Sequence, residues 1–119
     1  LFEHALRIAR QRFSEDNART MTHALNATRV AIALGRVQGT EPVLRHILEQ
    51  RTKMLATDDW RVAQAQSVLA SSLLAQHRVD EARALMEAAD RVLKPVPGPQ
   101  AREFAANRAR LSSLQSRSR

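Results

Sequence analysis

The chain has 119 residues, of which 44% are hydrophobic and 3% aromatic, and its 19 basic and 12 acidic side chains give a formal net charge of +7. This length suits one domain with a modest core, and the scarcity of aromatic residues leaves alanine and leucine to build it. The absence of cysteine excludes disulfides and thiolate metal sites. No segment reaches the roughly 18 apolar residues of a membrane-spanning helix, so we expect a soluble, cytoplasmic domain.

The positive charge comes almost wholly from arginine, since Lys53 and Lys94 are the only lysines. Excess basic charge can attract nucleic acid or an acidic partner. Nucleic-acid-binding domains gather their basic residues on one face, whereas these arginines are spread over every predicted helix. Nucleic-acid binding is therefore the less favoured alternative, and a titration at low and high salt would decide it.

Six segments place apolar residues at the spacing of an amphipathic helix, and most of their ends carry a signal. Gly35 suits a helix C-terminus, Pro42 suits a first turn, and Asp58 or Asp59 can cap an N-terminus. The proline-rich run 95–99 separates the last two segments. The predicted helices span residues 1–13, 18–34, 41–55, 58–76, 80–93 and 100–115.

An internal period of 42 residues relates these helices to one another. The pair Arg36-Val37 recurs as Arg78-Val79, and each pair separates two predicted helices. The acidic loop 14–17 falls on a second helix-starting loop at 56–59. The period divides a single domain, 1–115, into a half repeat (1–13), two full repeats (16–55 and 58–95) and a capping helix (99–115), followed by a disordered tail (116–119). Because the pattern is already under way at Leu1, we expect the chain to be part of a longer protein.

Segment 66–95 resembles a tetratricopeptide repeat. Its small and bulky apolar residues fall at the packing positions of that motif, namely Leu69, Ala70, Leu73, Val79, Ala82, Met86 and Ala89. The 42-residue spacing is similar to the lengthened repeats of kinesin light chains. The resemblance implies an all-α fold, a right-handed superhelical stack of antiparallel helical hairpins with about six helices. In the earlier repeat, Thr28 and Thr40 stand where small apolar residues are usual.

The amino-acid sequence of segment 55–89 also resembles the final repeats of bacterial serine/threonine protein kinases that carry tetratricopeptide tails. That resemblance implies an arm of a larger bacterial signalling protein, used for docking or assembly. The present residues contain no glycine-rich phosphate loop and no kinase catalytic motif.

Catalytic and metal-binding patterns are missing from the sequence, so we expect a protein that is not an enzyme and has no cofactor. The three glycines form no phosphate loop, and neither a nucleophile elbow nor an HExxH helix is present. The four histidines are spread one per helix or loop. The acidic pairs 15–16, 58–59 and 80–81 precede or open helices, where negative charge stabilises the helix N-terminus.

The predicted function is to bind a protein or peptide segment. In stacked hairpins the first helix of each pair lines the concave side, and an asparagine amide and an arginine there can bond a peptide backbone and a carboxylate. The residues predicted to contact a partner are Thr22, Leu25, Asn26, Arg29, Gln64, Ser67 and Ser71. The alternative is self-assembly through apolar end faces at 1–13 and 100–115. We expect the capping helix to turn Arg102, Glu103, Arg110 and Ser113 away from its apolar stripe.

Overall fold

All five helices predicted after residue 17 form, and each end lies within three residues of its expected position. The computed structural model describes residues 18–117, so the predicted half repeat 1–13 lies outside the described residues, as do residues 118–119 of the predicted tail. Helix α5 continues to Arg117, two residues into that tail. Within the described range the fold is entirely helical, with α1 (Ala18–Ala33), α2 (Thr40–Met54), α3 (Trp60–Ala75), α4 (Val79–Asp90) and α5 (Pro99–Arg117).

The helix ends follow the local signals in the sequence. Asp59 caps α3, and its carboxylate accepts a hydrogen bond of 2.9 Å from the backbone N–H of Arg61. Pro42 lies in the first turn of α2, where its missing N–H costs nothing. Both predictions are confirmed. None of the helices in the described range is long and apolar enough to span a membrane.

The 42-residue period is visible in how α1 and α3 end. Their last residues, Ala33 and Ala75, are 42 positions apart, and so are the residues that turn the chain out of each helix, Gly35 and His77. Gly35 has φ +78° and His77 has φ +63°, so both take the left-handed conformation of a helix C-terminal cap. The turn after α1 has a glycine at this position, whereas the turn after α3 has His77, a residue with a Cβ, in the same left-handed conformation.

Packing joins the helices into two hairpins and a closing helix. Helices α1 and α2 pack together, α3 and α4 pack together, and α5 packs on α4 and α3. Helix α3 is central because it also contacts α1 and α2. The core has fully buried side chains from α1 to α4, such as Leu25, Leu44, Leu73 and Met86. Each contributes about 1.5–3 kcal/mol by leaving water.

The threonines that depart from the repeat pattern are buried but hydrogen-bonded. Thr28 is fully buried and its hydroxyl donates to the Leu25 carbonyl at 2.7 Å. Thr40 is also fully buried, bonded to the Val37 carbonyl at 2.6 Å and to the Ser72 hydroxyl at 2.8 Å. A hydroxyl satisfied in this way is tolerated in a core, which explains why these positions need no apolar residue.

A closed ring of ion pairs joins α2 to the start of α4 on the surface. Arg45 and Arg78 each contact both Glu41 and Glu81, at 2.7–2.8 Å. The hydrogen bond from Arg45 holds the pKa of Glu41 below its ordinary value, and the hydrogen bond from Arg78 does the same for Glu81. The ring therefore ties the two second helices of the hairpins together at their N-terminal ends.

Replacing His77 by glycine should stabilise the fold. The left-handed conformation costs a residue with a Cβ about 1–2 kcal/mol, while glycine adds entropy to the unfolded chain worth about 0.4–1 kcal/mol. Since the His77 side chain is exposed, we expect a net gain of about 0.5–1 kcal/mol in the free energy of unfolding, measured by urea denaturation. Gly35→Ala is the matched control and should destabilise, although nothing lies within 4 Å of the added Cβ. A loss of stability in His77→Gly would contradict the shared cap.

Candidate partner-binding face

A buried carboxylate on α5 connects the first helices of the three successive units. Glu103 is 2% exposed. Its Oε1 lies 2.5 Å from Nη2 of Arg29 on α1 and accepts a hydrogen bond of 3.0 Å from Nε2 of Gln64 on α3. A buried carboxylate is tolerated only when it is paired and hydrogen-bonded, so these two contacts fix where α5 can sit.

A second group of polar contacts continues along the same side of α5. Asn107 is fully buried; its Oδ1 accepts from the Ser67 hydroxyl at 2.8 Å, and its Nδ2 donates to the Met86 carbonyl at 2.9 Å. Arg110 donates to the Ser67 hydroxyl at 2.7 Å. One side of α5 is therefore hydrogen-bonded to both α3 and α4.

The network also reaches α2 through a buried arginine. Arg51 is 4% exposed, and its Nη1 donates to Oε1 of Gln64 at 2.9 Å and to the Arg61 carbonyl at 2.8 Å. Its Nη2 lies 3.4 Å from the Thr22 hydroxyl. We call the connected set the polar seam. Its members are Thr22, Arg29, Arg51, Gln64, Ser67, Glu103, Asn107 and Arg110.

The polar seam carries more positive than negative charge. Arg29, Arg51 and Arg110 contribute three guanidinium groups, and Glu103 is the one carboxylate in the set. Burial lowers the pKa of Arg110, and the charge of Glu103 acts in the opposite direction. Burial also lowers the pKa of Arg51, with the nearby charge of Arg61 adding to the effect. Arginine nevertheless keeps its charge in proteins, so the polar seam carries a net positive charge.

Three of the seven predicted partner-binding residues are buried, although the prediction placed all seven on an open surface. Leu25 and Ser67 are fully buried and Gln64 is 8% exposed. The expectation that these three line an open groove is wrong, because α3 packs against α1, and α5 against α3, on the side taken as open. Leu25 belongs to the main apolar core.

The other four predicted residues keep some access to solvent. Thr22 and Asn26 are exposed, while Arg29 and Ser71 are half-buried. Thr22 and Ser71 donate their hydroxyl protons to carbonyls of their own helices, at 3.0 Å and 2.6 Å, which leaves oxygen lone pairs to accept a bond. We define the open face as Thr22, Asn26, Arg29 and Ser71, of which Thr22 and Arg29 also belong to the polar seam.

Sequence reasoning missed Arg51 and Asn107 and misplaced Glu103 and Arg110. The last two were expected to point away from the packed side of α5, yet Glu103 is buried and Arg110 is half-buried. The available signal was the spacing of 103, 107 and 110, which puts three polar side chains on one helical stripe. That stripe is bonded to α3, while Phe104 and Leu111 pack beside it on the two apolar cores.

A small cavity opens at one end of the open face. It has a volume of about 70 Å³ and lies where α1 begins, α2 ends and α3 begins. Thr22 belongs both to its lining and to the open face. The lining residues are Ala18, Met21, Thr22, Arg51, Met54, Leu55 and Arg61.

The acidic pairs within the described residues lie at helix N-termini, as the sequence predicted. Asp59 caps α3, and Asp80 and Glu81 lie in the first turn of α4. Among the residues described, no three histidine, aspartate or glutamate side chains gather as a metal site would require. His4 and the acidic pair 15–16 lie outside the described residues.

Replacing Asn107 by alanine should loosen α5 from the rest of the fold. The change removes the hydrogen bond that the Asn107 amide donates to the Met86 carbonyl and the acceptor of the Ser67 hydroxyl, and a buried group left unsatisfied costs roughly 1–3 kcal/mol. The loss should appear in urea denaturation and as faster amide hydrogen exchange in α5. Ser113→Ala, at an exposed position of the same helix, is the matched control. Equal stability of the two variants would contradict the role given to Asn107.

Comparison of the chain with models of protein families, with curated proteins and with solved structures finds no match. The case for a tetratricopeptide-like repeat therefore rests on the packing residues of segment 66–95 and on the 42-residue period.

Proposed function

We propose that this chain is a non-catalytic interaction module, a right-handed stack of tetratricopeptide-like hairpins that binds a protein or peptide segment on its open face, as an arm of a larger bacterial signalling protein. The observation that carries the proposal is the bridging of α1 and α3 to α5 by Glu103, through Arg29 and Gln64. These buried contacts hold the first helices of successive units side by side, and the open face on α1 and α3 is the polar surface that the two helices then share. Such a shared surface is what a stack of hairpins offers to an extended ligand.

The chemistry of the open face supports recognition of a peptide. Asn26 is exposed and has both a donor and an acceptor for a peptide backbone. Arg29 is 29% exposed at its side chain and is already oriented by Glu103. Side chains held in place before binding lose less conformational entropy when a ligand arrives. The contact with Glu103 thus favours binding by holding Arg29 in place.

The distribution of charge supports a protein partner over nucleic acid. Several surface arginines are paired with acidic residues at 2.7–2.8 Å, including Arg45, Arg61, Arg78 and Arg108. These pairs are distributed over α2, α3, α4 and α5. Paired and dispersed charges give a weak electrostatic field, whereas a nucleic-acid site needs a concentrated one.

Self-association is the second candidate, and one observation on α1 favours it. Val30 and Leu34 lie one helical turn apart and are 58% and 65% exposed. Two large apolar side chains on adjacent turns can form the centre of a contact between copies. By contrast, the apolar stripe of α5 packs inward on the chain's own cores. Sedimentation that shows a dimer weakened by Val30→Ser would support this alternative, and a monomer at all concentrations would remove it.

A peptide-display selection against the full chain tests the leading proposal. We expect the selection to enrich a peptide whose affinity falls at least tenfold in Asn26→Ala, since about 1.4 kcal/mol for lost backbone hydrogen bonds corresponds to that factor. Thr52→Ala is the control, because Thr52 is exposed on α2 and bonds only its own helix carbonyl. Calorimetry on both variants gives the affinities. Enriched peptides that bind both variants equally, or a selection that enriches nothing, would overturn the open face as the site.

A further inference from the structure

The cavity at the end of the open face is lined by a buried positive charge that has no carboxylate beside it among residues 18–117. Arg51 lines the cavity and is 4% exposed. Its hydrogen bonds go to neutral oxygens of Thr22, Arg61 and Gln64. Within residues 18–117 it forms no ion pair, whereas Arg29, Arg45, Arg61, Arg78, Arg83 and Arg108 each do.

A buried cation without a counter-ion is costly. Removing a charged group from water costs several kcal/mol, and an adjacent opposite charge offsets that cost. Glu103 and Asp59 act on Arg51 from a distance, and neither lies within the 4.0 Å of an ion pair. An anion entering the cavity would therefore gain an interaction with a guanidinium that is already desolvated and held in place.

The cavity lining has a second arginine, Arg61, whose charge is already neutralised, so the charge of Arg51 is the only one in the lining that remains unbalanced. Arg61 is bidentate on Asp59, with Nε 3.0 Å from Oδ1 and Nη2 2.8 Å from Oδ2, so its charge is already matched. The cavity thus calls for a single negative charge. A phosphate dianion would bring a second charge that nothing in the lining neutralises.

The rest of the lining suits an anion with an apolar stem. Ala18, Met21, Met54 and Leu55 give the cavity a largely apolar wall, and its volume is about 70 Å³. A glutamate or aspartate side chain combines one carboxylate with one or two methylene groups. Its stem would contact the methionine and leucine side chains while its carboxylate reached Nη2 of Arg51.

We propose that this cavity is a carboxylate-binding site that receives an acidic side chain of the bound segment, anchored on Arg51. The proposal rests on the proposed function, since Thr22 places the cavity at the end of the open face. It defines the partner as an acidic peptide whose acidic residue lies at one end of the contact.

Nuclear magnetic resonance of the full chain with ¹⁵N-labelled arginine tests the site. The probes are sodium acetate and acetyl-tetraglutamate amide, with acetyl-tetraglutamine amide and sodium phosphate as controls. We expect saturable shifts of the Arg51 Nε–H signal with both carboxylate probes, at least tenfold weaker or absent with the controls. Arg51→Met should lose the binding, which in this variant is read from the Nε–H signal of Arg61, the other arginine of the cavity lining. Arg91→Met, the same change at an exposed position, should retain it.

Two further variants address the case in which Arg51→Met does not fold and the case in which the chain's own acidic residues fill the cavity. If Arg51→Met does not fold, Ala18→Leu narrows the cavity from its exposed edge without touching the bonds of Arg51, and it should weaken acetate binding as strongly. A variant with Glu15→Gln and Asp16→Asn asks whether the acidic pair of the same chain supplies the carboxylate. Acetate binding that appears only in this variant would overturn a partner as the source.

Other outcomes would overturn the site itself. These are no shift of Arg51 with either carboxylate probe, both in the unmodified chain and in the variant with Glu15→Gln and Asp16→Asn, equal binding by the methionine variants at 51 and 91, or tighter binding of phosphate. Failure here is distinguishable from failure of the proposed function, because display-selected peptides could still depend on Asn26 while acetate leaves Arg51 unchanged. Conversely, acetate could bind the cavity although no peptide is selected.

Discussion

The salt bridge between Arg29 and Glu103 is the contact on which the arrangement of the first helices depends. A carboxylate that is 2% exposed needs partners, and its partners lie on two other helices, Arg29 on α1 and Gln64 on α3. Apolar packing alone would allow α5 to slide or rotate on its neighbours, since packing of hydrophobic surfaces is not directional. The buried pair and its hydrogen bonds select one position. Stability comes mainly from the apolar core, and the seam gives that core its geometry.

The same contacts determine what surface remains for a partner. Burying Gln64 and Ser67 under α5 removes them from the solvent, yet it holds Arg29 in a fixed orientation at the edge of the open face. Arg51, bonded to Gln64, is held beneath the cavity in the same way. The buried members of the polar seam thus hold the helices in position, while Thr22 and Arg29, which belong to both the seam and the open face, remain accessible to a partner.

The sequence predicted the helices well because their signals are local. Gly35, Pro42 and Asp59 mark helix ends by conformational preference or capping, and such effects do not depend on the rest of the fold. The equivalence of Gly35 and His77 could also be found, since the 42-residue period links them, although histidine itself gives no cap signal. Contacts between residues that are far apart in the chain leave no comparable signal in the sequence.

The candidate site was harder to predict for that reason. Ser67 and Gln64 are polar, so the pattern placed them on the surface, and only the packing of α5 shows that they are buried with partners 40 and 39 residues away. Arg51 lies in the last turns of the predicted helix 41–55, and nothing in the sequence indicated a role for it. Its importance follows from its burial without an ion pair to any residue in the described range 18–117, and such a property depends on the three-dimensional fold. Asn26 was correctly expected to be exposed on α1, and Thr22 and Val30, one turn away on either side, are exposed as well.

A double-mutant cycle between Arg29 and Glu103 tests the central claim most directly. The free energies of unfolding of Arg29→Met, Glu103→Gln and the double variant are measured by urea denaturation against the unmodified chain. If the pair fixes α5 to α1, each single change leaves an unbalanced group, and the double variant loses less than the sum of the two, by about 1–3 kcal/mol. Losses that add to within about 0.5 kcal/mol would show that the two residues act independently, and would contradict the account.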